Sequence, residues 1–94
     1  MPRITIRGYA SLQRLLSSKP IEIVTTKTTL QELIDLLSER FNDKIKEELY
    51  DDDGSLSPKY QIFVNGINIC CDGGLSTPIK DGDLVLISPI VDGG

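Results

Sequence analysis

Residues 84–91 read LVLISPIV, and this nearly all-apolar stretch decides the fold. A half-buried strand alternates apolar and polar side chains, whereas a strand covered on both faces is apolar throughout. We therefore predict that this stretch forms a strand in the middle of a sheet. By parity, we place Val85 and Ile87 toward the core and Leu86 and Ser88 on the opposite face.

Shorter segments supply the neighbouring strands. Residues 3–9 (RITIRGY) and 20–25 (PIEIVT) alternate apolar and polar side chains, which predicts two half-buried strands that pair antiparallel. Residues 60–66 (YQIFVNG) predict a third strand. Its closing Asn-Gly pair is a tight-turn signal, so residues 67–71 (INICC) are expected to pair back on it.

The segment 29–41, TLQELIDLLSERF, is the clearest helix of the chain. Thr29 and Glu32 have the spacing of a capping box, and so do Thr28 and Gln31. A single stripe along this helix is apolar and should face the core. It consists of Leu30, Leu33, Ile34, Leu37 and Phe41.

The order of these elements predicts an α+β domain. Shorter helical segments are expected within 10–18 and 42–51, the second burying Ile45 and Leu49. A polar loop follows, and KDGD at 80–83 is a turn. Two strands precede the main helix and the other strands follow it, so the layout suits a mixed sheet wrapped on one main helix.

Composition argues against several functions. The net charge is −4 and the pI about 4.6, whereas a nucleic-acid-binding surface is basic, so no direct contact with nucleic acid is expected. No stretch approaches the ~20 apolar residues of a membrane span, and the N-terminal residues do not form a leader, so we expect a cytoplasmic protein without membrane contact. Histidine is absent, so we expect neither a metal site nor a self-contained active site.

The two cysteines, Cys70 and Cys71, are adjacent. An iron–sulfur cluster normally needs four cysteine ligands, and neighbouring strand residues point to opposite faces, so an ordinary disulfide between them would be strained. We interpret them as plain strand residues, with a redox or metal role as the alternative. The run Asp51–Asp53 is interpreted as solvated, with a cation site as its alternative.

Motifs in the last third of the chain resemble the ubiquitin-like sulfur-carrier family, typified by the small subunit of molybdopterin synthase. They are IFVNG at 62–66 and TPIKDGDLVLISPIVDGG at 77–94. In the family, a similar strand end precedes a Pro-Leu/Ile-x-Asp-Gly-Asp turn, a hydrophobic strand and a run into Gly-Gly. Ile90 stands where the family often has a second proline, and Asp92 where a small residue is common.

The resemblance implies a ubiquitin-like β-grasp domain over residues 1–90, with a flexible tail at 91–94 that ends in Gly-Gly. The functional group would be the α-carboxylate of Gly94, with Gly93 beside it. An ATP-dependent activating adenylyltransferase would use Mg-ATP to convert this carboxylate to an acyl-adenylate, and a persulfide would then convert it to a thiocarboxylate. The chain itself would bind no cofactor.

The resemblance also implies a destination for the sulfur, which is molybdopterin (molybdenum cofactor) biosynthesis. This chain would then be the small, sulfur-donating subunit beside a large catalytic subunit of the molybdopterin synthase type. Ordering a flexible end costs about 1–2 kcal/mol per residue, which a contact between the sheet and the partner must offset. The residues expected at partner surfaces are Phe63, Leu86, Pro89, Ile90, Val91 and Asp92.

Alternatives remain open at this point. The Gly94 acyl group could be joined to a lysine amine, which would make the chain a protein modifier. The sulfur could instead go to a tRNA base or to the thiazole of thiamine. A non-catalytic β-grasp interaction module would use its sheet and ignore its tail. Deletion of Gly93 and Gly94 separates this last alternative from the others, because only it predicts no effect.

Overall fold

The computed structural model describes residues 3–9, 11–15, 19–26, 29–69 and 74–90. The first half holds two strands and three helices: β1 (Arg3–Gly8), α1 (Ser11–Leu15), β2 (Ile21–Val24), α2 (Leu30–Arg40) and α3 (Lys44–Leu49). The second half holds β3 (Tyr60–Val64), β4 (Ile67–Asn68), a short 3₁₀ turn (Gly74–Ser76) and β5 (Leu84–Pro89). Within these described residues, no helix is long and apolar enough to cross a membrane.

The strands form one mixed sheet with the order β2-β1-β5-β3-β4. Strand β5 is central, as predicted: it runs parallel to β1 on one side and antiparallel to β3 on the other. The predicted antiparallel pair of β1 and β2 is also confirmed. Strand β4 pairs with β3 through only two residues, so it is shorter than predicted, and Cys70 and Cys71 lie outside the described residues.

One face of this sheet packs with the helices around a single core. Val85 and Ile87 are fully buried, which confirms their predicted parity. The rest of the core comes from every other position of β1 and β3, from one residue of β2, from α2 and α3, and from the segments that flank β4 and β5. These residues are Ile4, Ile6, Ile23, Leu30, Leu33, Ile34, Leu37, Ile45, Leu49, Tyr60, Ile62, Val64, Ile69 and Ile79.

Helix α2 begins at the predicted capping box. The Glu32 backbone N–H donates to the Thr29 hydroxyl oxygen at 3.2 Å, and the Thr29 backbone N–H donates to a Glu32 carboxylate oxygen at 3.2 Å. Two orphan donors at the helix start are thereby satisfied. The alternative box would begin at Thr28, which lies outside the described residues.

The prediction that Phe41 belongs to the buried stripe of this helix is wrong. Helix α2 ends at Arg40, and Phe41 is its C-cap with 43% of its surface exposed. The reason is that helix α3 packs against α2 at this end, and its residues Ile45 and Leu49, both fully buried, continue the core. The ring of Phe41 is therefore left at the surface.

The mixed sheet with its central last strand, and with the long helix between two β pairs in sequence, is the ubiquitin-like β-grasp fold. Both Gly66 and Gly82 adopt positive φ, 84° and 87°, in the two turns that precede β4 and β5. A side chain with Cβ is strained in this conformation, which explains glycine at each turn. The fold thus presents one covered face of the sheet and one open face.

Candidate functional site

The open face of the sheet carries a row of side chains in register across four strands. Arg7 of β1 is paired with Leu86 of β5, Leu86 with Phe63 of β3, and Phe63 with Asn68 of β4. Leu86 and Phe63 are each partly exposed, whereas their neighbours in sequence are buried. The predicted outward placement of both residues is confirmed, and the register brings them side by side.

We call Leu84, Leu86 and Phe63, with Arg7 beside them, the outer patch. Leu84 precedes Leu86 by two positions on β5, so it lies on the same face, and it is 39% exposed. The Arg7 guanidinium carbon lies 5.2 Å from the centroid of the Tyr9 ring, within the range of a cation–π contact. The patch is therefore a small apolar surface with a positive charge at its edge.

The end of β5 lies beside the patch and is held by β3. Pro89 is the register partner of Tyr60, and the Ile90 backbone N–H donates to the Lys59 carbonyl oxygen at 2.8 Å. The Ile90 side chain is nonetheless 49% exposed. Of the predicted partner residues on this segment, Pro89 and Ile90 thus lie at the sheet end, and Val91 and Asp92 lie outside the described residues. So do Gly93 and Gly94, and the division at residue 90 stays a prediction.

A side-chain link between two turns fixes β5 against β3. The Asn65 amide nitrogen Nδ2 donates to Asp83 Oδ1 at 2.8 Å, and the Leu84 backbone N–H donates to Asn65 Oδ1 at 2.9 Å. The second carboxylate oxygen of Asp83 accepts from the Lys80 backbone N–H at 2.7 Å. Sequence analysis identified both turns but missed this contact, because residues 18 positions apart share no periodic pattern.

The same end of the sheet is joined to β1. The Arg3 backbone N–H donates to Asp81 Oδ1 at 2.8 Å, and the Gly82 N–H donates to the Arg3 carbonyl oxygen at 2.9 Å. The Thr5 N–H donates to the Asp83 carbonyl oxygen at 3.0 Å. The start of β5 is therefore tied to both neighbouring strands, and this fixes where its other end leaves the sheet.

Two clefts flank the end of β5. The acidic cleft, of about 920 Å³, is lined by residues that include five carboxylates, and Lys59 is its single cation among the lining residues. Its acidic residues are Glu47, Glu48, Asp51, Asp52 and Asp53. The apolar cleft, of about 550 Å³, is lined by residues that include Leu56, Pro58, Ile62 and Leu75. Ser57, Tyr60 and Ile90 line both clefts.

Hydrogen bonds and burial set the electrostatics of the acidic cleft. The Tyr60 hydroxyl donates to Glu48 Oε2 at 2.6 Å. The Ser55 hydroxyl and backbone N–H both donate to Asp53, and these bonds lower the pKa of the Asp53 carboxyl. Burial raises the pKa of the Tyr50 phenol to about 12, with the Asp35 charge adding to the effect. Across the described ranges, no group of three or more His, Cys, Asp or Glu side chains could hold a metal ion.

Sequence analysis interpreted the acidic run 51–53 as solvated, with a cation site as the alternative, and the structure leaves these residues exposed. What sequence analysis missed is that α3 and the following loop place this run beside the end of β5. The apolar cleft was missed as well, since its lining comes from a loop, two strands, a 3₁₀ turn and Ile90, which are separate in sequence. The one sequence signal was the concentration of six acidic residues between positions 43 and 53.

Comparison with known proteins places the chain in a family. The model of the ThiS family matches residues 7–94. A protein of Archaeoglobus fulgidus, described as a candidate sulfur carrier protein, is 45% identical over 74 residues, which are 79% of this chain and 83% of that protein.

Two solved structures extend the comparison. The Amycolatopsis orientalis BexX/CysO complex contains a chain that is 27% identical with a TM-score of 0.76, over 97% of this chain and 99% of that one. A candidate molybdopterin converting factor subunit 1 from Pyrococcus furiosus is 26% identical with a TM-score of 0.70, over 97% of this chain and 100% of that one. The sheet order, the motifs at 62–66 and 77–94, and these matches agree, and the chain belongs to the ThiS family of ubiquitin-like sulfur carriers.

Proposed function

We propose that this chain carries sulfur as a thiocarboxylate on Gly94 and donates it in molybdopterin biosynthesis. The observation that carries the proposal is the family match over residues 7–94, which includes the strand β5 and the Gly-Gly pair that follows it in sequence. The reacting group is the main-chain carboxylate of Gly94. The chain works together with an activating adenylyltransferase and a large catalytic subunit.

The chemistry runs in three steps. The Gly94 carboxylate attacks the α-phosphorus of ATP on the activating enzyme and releases pyrophosphate, with Mg²⁺ of that enzyme offsetting phosphate charge. A persulfide then attacks the acyl carbon and displaces AMP. A second thiol attacks the donor's own sulfur in the resulting acyl disulfide, so the S–S bond breaks, a disulfide forms on the donor side and a thiocarboxylate is left on Gly94.

The residues of the domain bind and orient, and they do not react. The outer patch offers Phe63 and Leu86 to a partner, and Pro89 and Ile90 direct the chain from the end of β5. Glycine at 93 and 94 lets backbone enter a narrow active site, because no Cβ obstructs it. The structure of the related chain in the BexX/CysO complex supports the expectation that such domains work through partner proteins.

The assignment to molybdopterin biosynthesis is supported by the likeness to the Pyrococcus furiosus protein and by the motifs of the last third. In this role, a large catalytic subunit accepts the thiocarboxylated tail, and the sulfur attacks a pterin precursor. Water then hydrolyses the bond between the sulfur and the Gly94 acyl carbon, which leaves the sulfur on the pterin and returns Gly94 to a carboxylate, so the chain is activated again in the next cycle.

Intact-mass spectrometry tests the proposal. The protein is incubated with its activating enzyme, Mg-ATP and a persulfide donor, and we expect a mass gain equal to the exchange of one oxygen for sulfur, located on Gly94 by fragmentation. The variant that lacks Gly93 and Gly94 is the matched control and should gain nothing while keeping its circular dichroism spectrum. An unchanged mass of the full chain, with an activating enzyme that modifies another carrier in parallel, overturns the proposal.

A second experiment tests which molecule receives the sulfur. Thiocarboxylated protein is mixed with the large catalytic subunit and a pterin precursor, and we expect a sulfur-containing pterin together with return of Gly94 to the carboxylate. Transfer to tRNA or to a thiazole precursor, without transfer to the pterin, contradicts the molybdopterin assignment and leaves the carrier chemistry intact.

A further inference from the structure

The two clefts at the end of β5 form one continuous surface. Ile90, Tyr60 and Ser57 line both, so a group seated in the apolar cleft lies next to the acidic cleft across a boundary formed by these residues. Ile90 is 49% exposed, although its backbone is bonded to β3. The apolar cleft reaches the open face of the sheet at Asn68, but none of the four residues of the outer patch lines either cleft.

The charge of this surface selects its occupant. The acidic cleft presents five carboxylates against the single ammonium of Lys59. Asp51 and Asp52 are exposed, and no hydrogen bond or ion pair occupies their side chains in the described part of the chain. The hydrogen bonds from Ser55 lower the pKa of the Asp53 carboxyl and so favour its charged form. Such a surface attracts lysine and arginine and repels acidic groups.

Other occupants fit less well. A second copy of this chain has a net charge of −4, so its approach to the acidic cleft is opposed by repulsion. The segment that follows Ile90, Val91-Asp92-Gly93-Gly94, contains no basic residue to bind there. A partner protein that presents lysine or arginine next to an apolar side chain matches both clefts at once.

We infer that the acidic and apolar clefts together bind a partner segment that combines a basic and an apolar side chain. The apolar side chain enters the space between Leu56, Pro58 and Leu75, and the basic group reaches Asp51 and Asp52. No residue of the outer patch lines either cleft, so a partner that handles the chain end can contact the domain both at the outer patch and at the end of β5. The inference adds the chemistry of the partner's binding segment to the proposed function. It rests on the proposed function only in taking the partner to be a protein that handles the chain end.

Titration with a synthetic peptide, followed by ¹H–¹⁵N NMR, tests the inference. The probe is a nine-residue peptide that alternates lysine with leucine, and a peptide with glutamate in place of lysine is the charge control. We expect saturable shifts at the amides of Asp52, Leu56 and Ile90 with the lysine peptide only. Binding should weaken as salt is raised, because exposed charges are screened.

Matched variants assign the binding to this surface. Asp51→Asn with Asp52→Asn removes two cleft charges, and we expect the Kd of the lysine peptide to rise by about fivefold. Glu22→Gln with Glu39→Gln makes the same change in net charge at positions that do not line the cleft, and it should leave the Kd unchanged. Ile90→Ser, which retains the backbone N–H, should also weaken binding, through the loss of apolar contact.

Three results would overturn the inference: no saturable shift, shifts confined to the outer patch, or equal weakening by the two pairs of variants. None of these results depends on Gly94. A failed thiocarboxylation assay with normal peptide binding therefore counts against the proposed function alone, and the opposite pair of results counts against the cleft surface alone.

Discussion

The Tyr50 hydroxyl is buried without a hydrogen-bond partner among the described residues, although the Tyr50 ring is only partly buried. Leaving a buried donor unsatisfied costs about 1–3 kcal/mol, and here the partial exposure of the residue places the cost at the lower end. The same burial raises the pKa of the phenol to about 12, because the charged form cannot be solvated.

Replacement of Tyr50 by phenylalanine is therefore expected to stabilise the protein by about 1 kcal/mol at pH 7. The raised folded-state pKa adds a pH dependence. Below pH 10 the phenol is protonated in both states; between pH 10 and about 12 it ionises in the unfolded state first, so stability falls as pH rises. Urea unfolding at pH 7 and pH 11 should show a larger alkaline loss in the wild type than in Tyr50→Phe.

Tyr9→Phe is the control for this prediction, because Tyr9 is 36% exposed. It should keep the alkaline loss of the wild type. If Tyr50→Phe and the wild type lose equal stability at pH 11, burial does not raise the pKa of the Tyr50 phenol.

At the level of elements, the bond between Asn65 and Asp83 sets the register of β5 on β3. It joins the turn after β3 to the turn before β5. The nearest pair of the two strands, Val64 with Val85, lies next to this bond. The Asn65 backbone has a positive φ of 54°, a conformation that asparagine adopts more readily than most residues. Position 65 thus has both a conformational and a hydrogen-bonding requirement.

Asn65→Asp should destabilise the protein by about 1–3 kcal/mol at pH 7, because it replaces a donor with a second carboxylate beside Asp83. Asp83→Asn restores a donor to that pair. The double variant can rebuild all three bonds with the two groups exchanged, so its free energy of unfolding should return close to the wild-type value. Chemical denaturation of the two single variants and the double variant measures the coupling.

A double variant that is no more stable than Asn65→Asp would show that the link does not hold the turns together. The single variant has an internal check as well. Its deficit should shrink below about pH 4, because protonation of one carboxyl removes the repulsion and restores a donor.

Sequence patterns predicted these elements well where burial alternates along one segment. Three such predictions are confirmed, and each depends only on residues close together in sequence. They are the alternation of buried and exposed residues along β1 and β3, the central strand predicted from the apolar run of β5, and the capping box of α2. Phe41 shows where such patterns fail, because a helical stripe does not tell where the helix ends or which element continues the core. The Asn65–Asp83 bond joins two turns that are distant in sequence, so no periodic pattern of residues predicts it.

For the whole molecule, the open face of the sheet is the surface most directly tied to the proposed function. Phe63 and Leu86 lie side by side on its two central antiparallel strands, and both are partly exposed. Interface energy is concentrated in a few central apolar or aromatic residues, so this pair should dominate binding to the activating enzyme.

Phe63→Ala combined with Leu86→Ala should weaken binding to the activating enzyme by about tenfold or more, as measured by titration calorimetry. Val24→Ala, on the edge strand β2, removes an apolar side chain that is 43% exposed and should have little effect. Unchanged affinity of the double variant, with its circular dichroism spectrum intact, would exclude the outer patch as the docking surface.

Only part of this surface could be predicted before the structure. The alternation of side chains along β3 and β5 predicted that Phe63 and Leu86 face outward. That the two residues are neighbours follows only from the strand register in the structure. The clefts could not be predicted, because α3, the loop that follows it, the 3₁₀ turn and Ile90 come together only in the folded chain. Residues 91–94 lie outside the described ranges, and their role rests on the sequence and on the family.

The central position of β5 has a consequence for biosynthesis. A ribosome makes this strand after every other described element, yet β5 alone joins the β1–β2 pair to the β3–β4 pair. Its contact with β1 brings Thr5 to Leu84, across most of the polypeptide, and such distant pairing slows folding. A nascent chain that still holds residues 84–89 in the exit tunnel therefore has no strand to join the β1–β2 pair to the β3–β4 pair, and the sheet assembles only after this last strand has emerged.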